Sequence, residues 1–113
     1  MATSTLKYSD VLTHPTLTTY YENFTSNETT ITQRGKVVEL YLRFRNTNGI
    51  NTGGTWTTLY TMGSAPTANL TLNLPIQNDF AYIRITSNGN VLINTSTNVV
   101  NWVNTVVTFI AKD

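Results

Sequence analysis

Cysteine is absent from the 113-residue chain, histidine occurs once, and only 12% of residues are charged. Without cysteine there is neither a disulfide scaffold nor a zinc–cysteine module, and the redox compartment stays open. A charged share about half the usual one excludes a coiled coil. A formal net charge of +1 gives too little long-range field for a strongly electrostatic nucleic-acid binder. No window approaches the ~20 apolar residues of a membrane span. The opening stretch, MATSTLKYSDVLTHP, has no apolar core of signal-peptide length. The expectation is a soluble chain that does not insert into membranes.

Recognisable catalytic chemistry is equally scarce. The lone histidine, His14, precedes Pro15 and has Ser9 and Asp10 upstream, but no G-x-S-x-G elbow accompanies it. It reads as a surface side chain. The carboxylates are Asp10, Glu22, Glu28, Glu39, Asp79 and Asp113, and no spacing pairs two of them across a cleft as glycoside hydrolysis requires. No D-x-D, H-x-H or acidic loop suggests a metal. Gly35-Lys36 and Gly53-Gly54 complete no phosphate-cradling motif and read as turn formers. Neither enzymatic activity nor a cofactor is expected.

What the chain has instead is small polar and β-branched residues. There are 23 Thr, 14 Asn and 6 Ser, and Val, Ile and Thr together number 39. That load suits pleated strands better than helices. With 40% hydrophobic residues the chain carries enough apolar surface for a core. Four Asn-x-Ser/Thr sequons, at Asn23, Asn27, Asn69 and Asn94, are what chance gives in so Asn- and Thr-rich a sequence.

Turn residues punctuate the chain at short intervals, the spacing of an all-β sandwich or barrel. Strands are expected at roughly 17–24, 29–33, 36–46, 55–62, 68–76, 80–87, 90–95 and 102–111. The clearest is KVVELYLRFR (36–45), where Val38, Leu40, Leu42 and Phe44 share one face and Val37, Glu39, Tyr41, Arg43 and Arg45 the other. Leu70, Leu72 and Leu74 repeat the alternation before Pro75, which should end that strand. Trp56, Thr58, Tyr60 and Met62 alternate with Thr57, Leu59 and Thr61 in another. The last segment, 102–111, is apolar on both faces and is expected to be central or to face another subunit. For the hairpin around Ser87-Asn88-Gly89, a three-residue loop with Gly89 left-handed pairs Ile85 with Val91 and Ile83 with Ile93. A two-residue Asn-Gly turn would set Ile83 against Asn94. The fold class expected is a two-sheet antiparallel, jelly-roll-like sandwich of about eight strands. It forms a single domain over 1–113, with 1–15 as an extended N-terminal segment.

Two sets of residues invite a functional reading. Arg34, Lys36, Arg43 and Arg45, with Tyr41 between, form a modest basic stripe that Glu39 interrupts, and this reads as a solvated face or as ion pairs across a subunit contact. Aromatic and amide residues are the better stock for a ligand. Trp56, Tyr60, Tyr82 and Trp102 present flat apolar faces, and loop amides such as Asn48 and Asn51 offer paired donors and acceptors. A sugar needs both: a platform for its C–H face and partners for its hydroxyls.

From Gly35 onward the order of segments is GKVVELYLRFR, then GTWTTLYTMGSAP, NLTLNLPI, AYIRITSNGNVLI and finally WVNTVVTFIAKD. This series, over some 80 residues, resembles the C-terminal head domain of bacteriophage tail-fibre and baseplate receptor-binding proteins. That group's usual L-P-x-G-[YF]-x-P turn is reduced here to Met62–Pro66. The resemblance implies a jelly-roll head in the virion, commonly a homotrimer. Such a head adheres without catalysis to a bacterial cell-wall saccharide and sits among other tail proteins. The rival expectation is a purely structural virion part, a capsid decoration or baseplate spacer.

Overall fold

The structure, a computed structural model, describes residues 11–76 and 79–112. Those residues contain no helix and form ten strands in two antiparallel sheets. Sheet A contains β1 (Leu12–Thr13), β3 (Ser26–Asn27), β4 (Thr30–Arg34), β5 (Val37–Arg45) and β10 (Val103–Ile110). Its order is β1-β4-β5-β10, with β3 also paired to the end of β5. Sheet B contains β2 (Leu17–Thr19), β6 (Thr57–Met62), β7 (Leu70–Ile76), β8 (Asp79–Ile85) and β9 (Asn90–Asn94), in the order β2-β6-β9-β8-β7. The consecutive strands β7, β8 and β9 are laid side by side with β6 returning next to β9, a Greek key. The all-β, two-sheet sandwich expected from the turn spacing is the architecture observed.

Alternation explains the core. Val38, Leu40, Leu42 and Phe44 point inward from β5, against Ile83 and Ile85 of β8 and Val91 and Ile93 of β9. Each such side chain, fully removed from water, contributes about 1.5–3 kcal/mol. The hairpin register is the one in which the apolar residues share a face: Ile83 pairs with Ile93 and Ile85 with Val91. Gly89 makes this possible with φ +85°, closing the turn through its N–H to the Thr86 carbonyl at 2.9 Å.

Three features depart from the expected pattern. The eight expected strands are joined by β1 and β3, two-residue pairings too short to carry a periodicity, and the first expected strand shrinks to 17–19. Pro75 lies inside β7 instead of ending it, which is tolerated because β7 is an edge strand. The last strand is not central. It is an edge of sheet A, and its outward residues Val106 (47% exposed) and Ile110 (58%) lie beside Tyr41 and Val37 on an uncovered face.

Candidate functional site

One end of the sandwich is built by two polar loops, 46–56 and 95–102, which pack on each other. Ile50 and Val99 exchange backbone hydrogen bonds at 2.8 and 3.0 Å. Thr52 and the buried Thr95 do the same through side chains: each peptide N–H donates to the other's hydroxyl, at 2.8 and 2.9 Å. Asn46 Oδ1 accepts from the Asn48 N–H, Asn51 Oδ1 accepts from the Gly53 N–H, and the Asn98 amide donates to the Asn48 carbonyl. The loops therefore have a fixed shape. Asn48 and Asn51, read from the sequence as ligand partners, serve first as loop builders, with both residues exposed.

Strand β6 leaves this loop end with a bulge. Thr58 pairs with Leu92, but the next registered pair is Tyr60 with Val91, so Leu59 is the extra residue. Its carbonyl accepts N–H groups from Tyr20 and Tyr21, at 2.8 and 3.1 Å. A bulge reverses the facing of every side chain beyond it. Thr58 faces outward, while both Leu59 and Tyr60 are buried. Simple alternation had placed Trp56 and Tyr60 on one face; the bulge separates them.

Tyr60 is consequently no ligand platform. It is 0% exposed, stacks on Phe24 (centroids 5.5 Å apart) and meets the edge of Phe44. Its hydroxyl donates to Asn27 Oδ1 at 2.6 Å and lies 2.9 Å from the Thr29 hydroxyl, which can donate to it. Burial pushes this phenol up to about 12, partly opposed by the Thr29 hydrogen bond. Trp102 is also apart from the other candidates: it precedes β10 in sheet A, with the Arg43 guanidinium 4.9 Å from its ring centroid.

The outer face of sheet B brings the remaining candidates together. Asn73 of β7, Tyr82 of β8 and Asn94 of β9 are registered neighbours in one row, spanning two strand spacings or about 10 Å. Trp56 lies on the same side at the end of that row, because Thr57 pairs with the inward-facing Ile93. Along β8, Phe80 (46% exposed) and Tyr82 (39%) meet edge to face at 5.7 Å. On the other side of Tyr82, Arg84 lies 4.2 Å over the Trp56 ring, and its Nε–H donates to Thr71 Oγ1 at 3.2 Å. The indole is therefore held by a cation that is itself held. The Asn94 amide donates to the Gly54 carbonyl, tying the row to the polar loop. Sequence reasoning missed Phe80, Arg84, Asn73 and Asn94. The alternation of AYIRI places Arg84 beside Tyr82, and the preferred hairpin register places Asn94 opposite it. Asn73 needed the β7–β8 pairing, which the sequence leaves open.

Several charged residues are engaged locally. Arg43 forms an ion pair with Glu28 at 3.1 Å, and Arg45 donates to the Val100 carbonyl, so these two of the three arginines in the expected basic stripe have partners within the chain. His14 Nδ1 meets the Ile31 carbonyl at 3.2 Å. The described residues contain no group of three or more His, Cys, Asp or Glu able to hold a metal, and no helix long and apolar enough to cross a membrane. Comparison with protein-family models, curated proteins and solved structures returns no match.

Proposed function

We propose that this chain is a non-catalytic adhesin head that attaches a phage virion to a bacterial cell-surface saccharide through the outer face of sheet B. The observation that carries the reading is the row Trp56–Asn94–Tyr82–Asn73. Aromatic faces there alternate with side-chain amides on a rigid, solvent-facing sheet. Such a surface offers an apolar platform to the C–H face of a pyranose and paired donors and acceptors to its hydroxyls. The loops bracing the row are hydrogen-bonded to each other, so little ordering cost falls on binding. The assignment to a tail fibre or baseplate rests on the resemblance of segments 35–113 to receptor-binding heads.

Single sites of this kind are weak, and several copies on one particle raise avidity by roughly 10²–10⁴-fold. Assembly into a homotrimer, which the resemblance implies, would cover the stripe formed by Val37, Tyr41, Val106 and Ile110 on sheet A. Co-sedimentation with bacterial cell-wall preparations tests the reading. The wild-type protein is expected to pellet with the walls of a host strain, and Tyr82→Ala to remain in the supernatant with its fold intact. Equal pelleting of both would remove sheet B as the site. Absence of wild-type binding across wall types would favour the structural virion part.

A further inference from the structure

We propose a second, separate sugar subsite in the cleft where the free edges of the two sheets face each other, with Trp102 as its platform. The inference rests on the saccharide reading above and extends it to a place that reading does not use. On the open side of the sandwich, β7 is the edge of sheet B and β10 the edge of sheet A. One end of this seam is stitched: Pro66 and Ala111 form a bridge, and the Lys112 N–H donates to the Ala65 carbonyl at 2.9 Å. The other end has no such backbone bridge among the described residues. There, the end of β7 and the start of β10 enclose a cleft of roughly 390 Å³, within the range of small-molecule sites.

The walls differ in chemistry. Leu74 and Pro75 present an apolar surface from β7, while Trp102, Asn101, Asn104 and Thr105 line the side of β10. Trp102 is braced from behind, since Arg43 sits 4.9 Å from its ring and is anchored by Glu28 at 3.1 Å. The cleft also carries main-chain groups. The Ala111 N–H bonds to the carbonyl of Lys36, the residue just before β5, whereas the Lys112 N–H points the other way, to Ala65. Alternation along the unbroken β5–β10 ladder then turns the N–H and C=O of Asn104 away from β5, toward the seam. Among the described residues, no charged side chain lines the cleft. An aromatic plate, an apolar counter-wall and a rim of amides, hydroxyl and backbone groups suit one uncharged pyranose ring, at a chain end or a branch. An ionic group would find no counter-charge among the described lining residues.

The chain has only two tryptophans, one for each proposed site, so each site has its own reporter. Trp56→Phe leaves Trp102 as the sole indole, and Trp102→Phe leaves Trp56. Both variants would be titrated with uncharged cello-, malto-, chito- and galacto-oligosaccharides and with solubilised cell-wall polysaccharide, following emission and acrylamide quenching. The expectation is that one such probe alters Trp102 emission in Trp56→Phe and protects it from quencher several-fold. Adding Asn104→Lys at the cleft mouth should abolish that response in Trp56→Phe, while the same addition to Trp102→Phe should leave the Trp56 response unchanged. A probe that moves Trp56 but leaves Trp102 silent overturns the second subsite and spares the sheet B reading. A Trp102 response that survives Asn104→Lys also overturns it. Silence of both indoles to the whole panel defeats the saccharide reading itself.

Discussion

Replacing Tyr60 by Phe separates its role in the core from any role at a surface. The ring packs against Phe24 and Phe44, and the hydroxyl donates to Asn27 Oδ1 beside the Thr29 hydroxyl. Loss of a buried hydrogen bond costs roughly 1–3 kcal/mol when a partner is left unsatisfied. Asn27 is an exposed residue that water can reach, which places the expected loss near 1–2 kcal/mol at neutral pH. In a domain of this size that lowers Tm by about 4 °C or more. The pH dependence is the sharper part. Folding raises this phenol from the usual 10 to about 12. The neutral group therefore contributes fully below pH 10, where the unfolded chain is also un-ionised. Its contribution falls as the pH climbs from 10 to 12, by roughly 2–3 kcal/mol in total. Chemical denaturation of wild type and Tyr60→Phe between pH 8 and 12 measures this directly, because the other ionising groups cancel in the difference. The wild-type advantage should shrink steadily above pH 10 and vanish or reverse by pH 12. A gap that stays constant to pH 12 would mean that the phenol titrates as if in water, and would refute the buried placement and the bulge that causes it. Saccharide binding should be unaffected by the substitution.

Other expectations follow from the same geometry. Gly53 and Gly89 both have positive φ, but a Cβ on Gly53 meets open space while one on Gly89 would lie 2.6 Å from the Met62 carbonyl oxygen. Gly53→Ala should cost only the left-handed penalty of about 1–2 kcal/mol. Gly89→Ala should exceed it by at least ~1 kcal/mol, since the Met62 N–H bond to the Gly89 carbonyl is also disturbed; equal losses in urea unfolding would contradict the close approach. Light scattering at micromolar concentration should give three times the 12.6 kDa chain mass, and Val106→Asp with Ile110→Asp should return a folded monomer. A wild-type monomer would remove the subunit contact from the account.

Much of the sandwich is written in local pattern. The face of β5, the hairpin register across Gly89 and the in–out order of β8 all follow from alternation, because one face of each strand is buried and a one-residue slip would expose it. The site was legible only in part, and one reason is a single residue. Leu59 adds one position to β6, so Trp56 and Tyr60, which share a parity in the sequence, end on opposite faces of the sheet. Nothing in GTWTTLYT marks a bulge: it contains no glycine at the extra position, and its stabilising partners, the Tyr20 and Tyr21 N–H groups, are nearly forty residues away. Trp102 illustrates a different limit. Its outward direction follows from the inward Val103, but which sheet β10 joins depends on long-range pairing with β5. The Asn-rich loops were legible as polar. That they lean on each other through Thr52 and Thr95 was not, since that contact spans 43 positions in the chain.

The most direct test of the central claim is chemical-shift mapping of the ¹⁵N-labelled protein against polysaccharide released from walls that retain it. The account predicts that the shifts concentrate on the Trp56 indole N–H, the side-chain amides of Asn73 and Asn94, and the backbone from Phe80 to Arg84. Shifts confined to the outer face of sheet A or to the opposite loop end around Ser64 and Asn88, with sheet B unmoved, would contradict it.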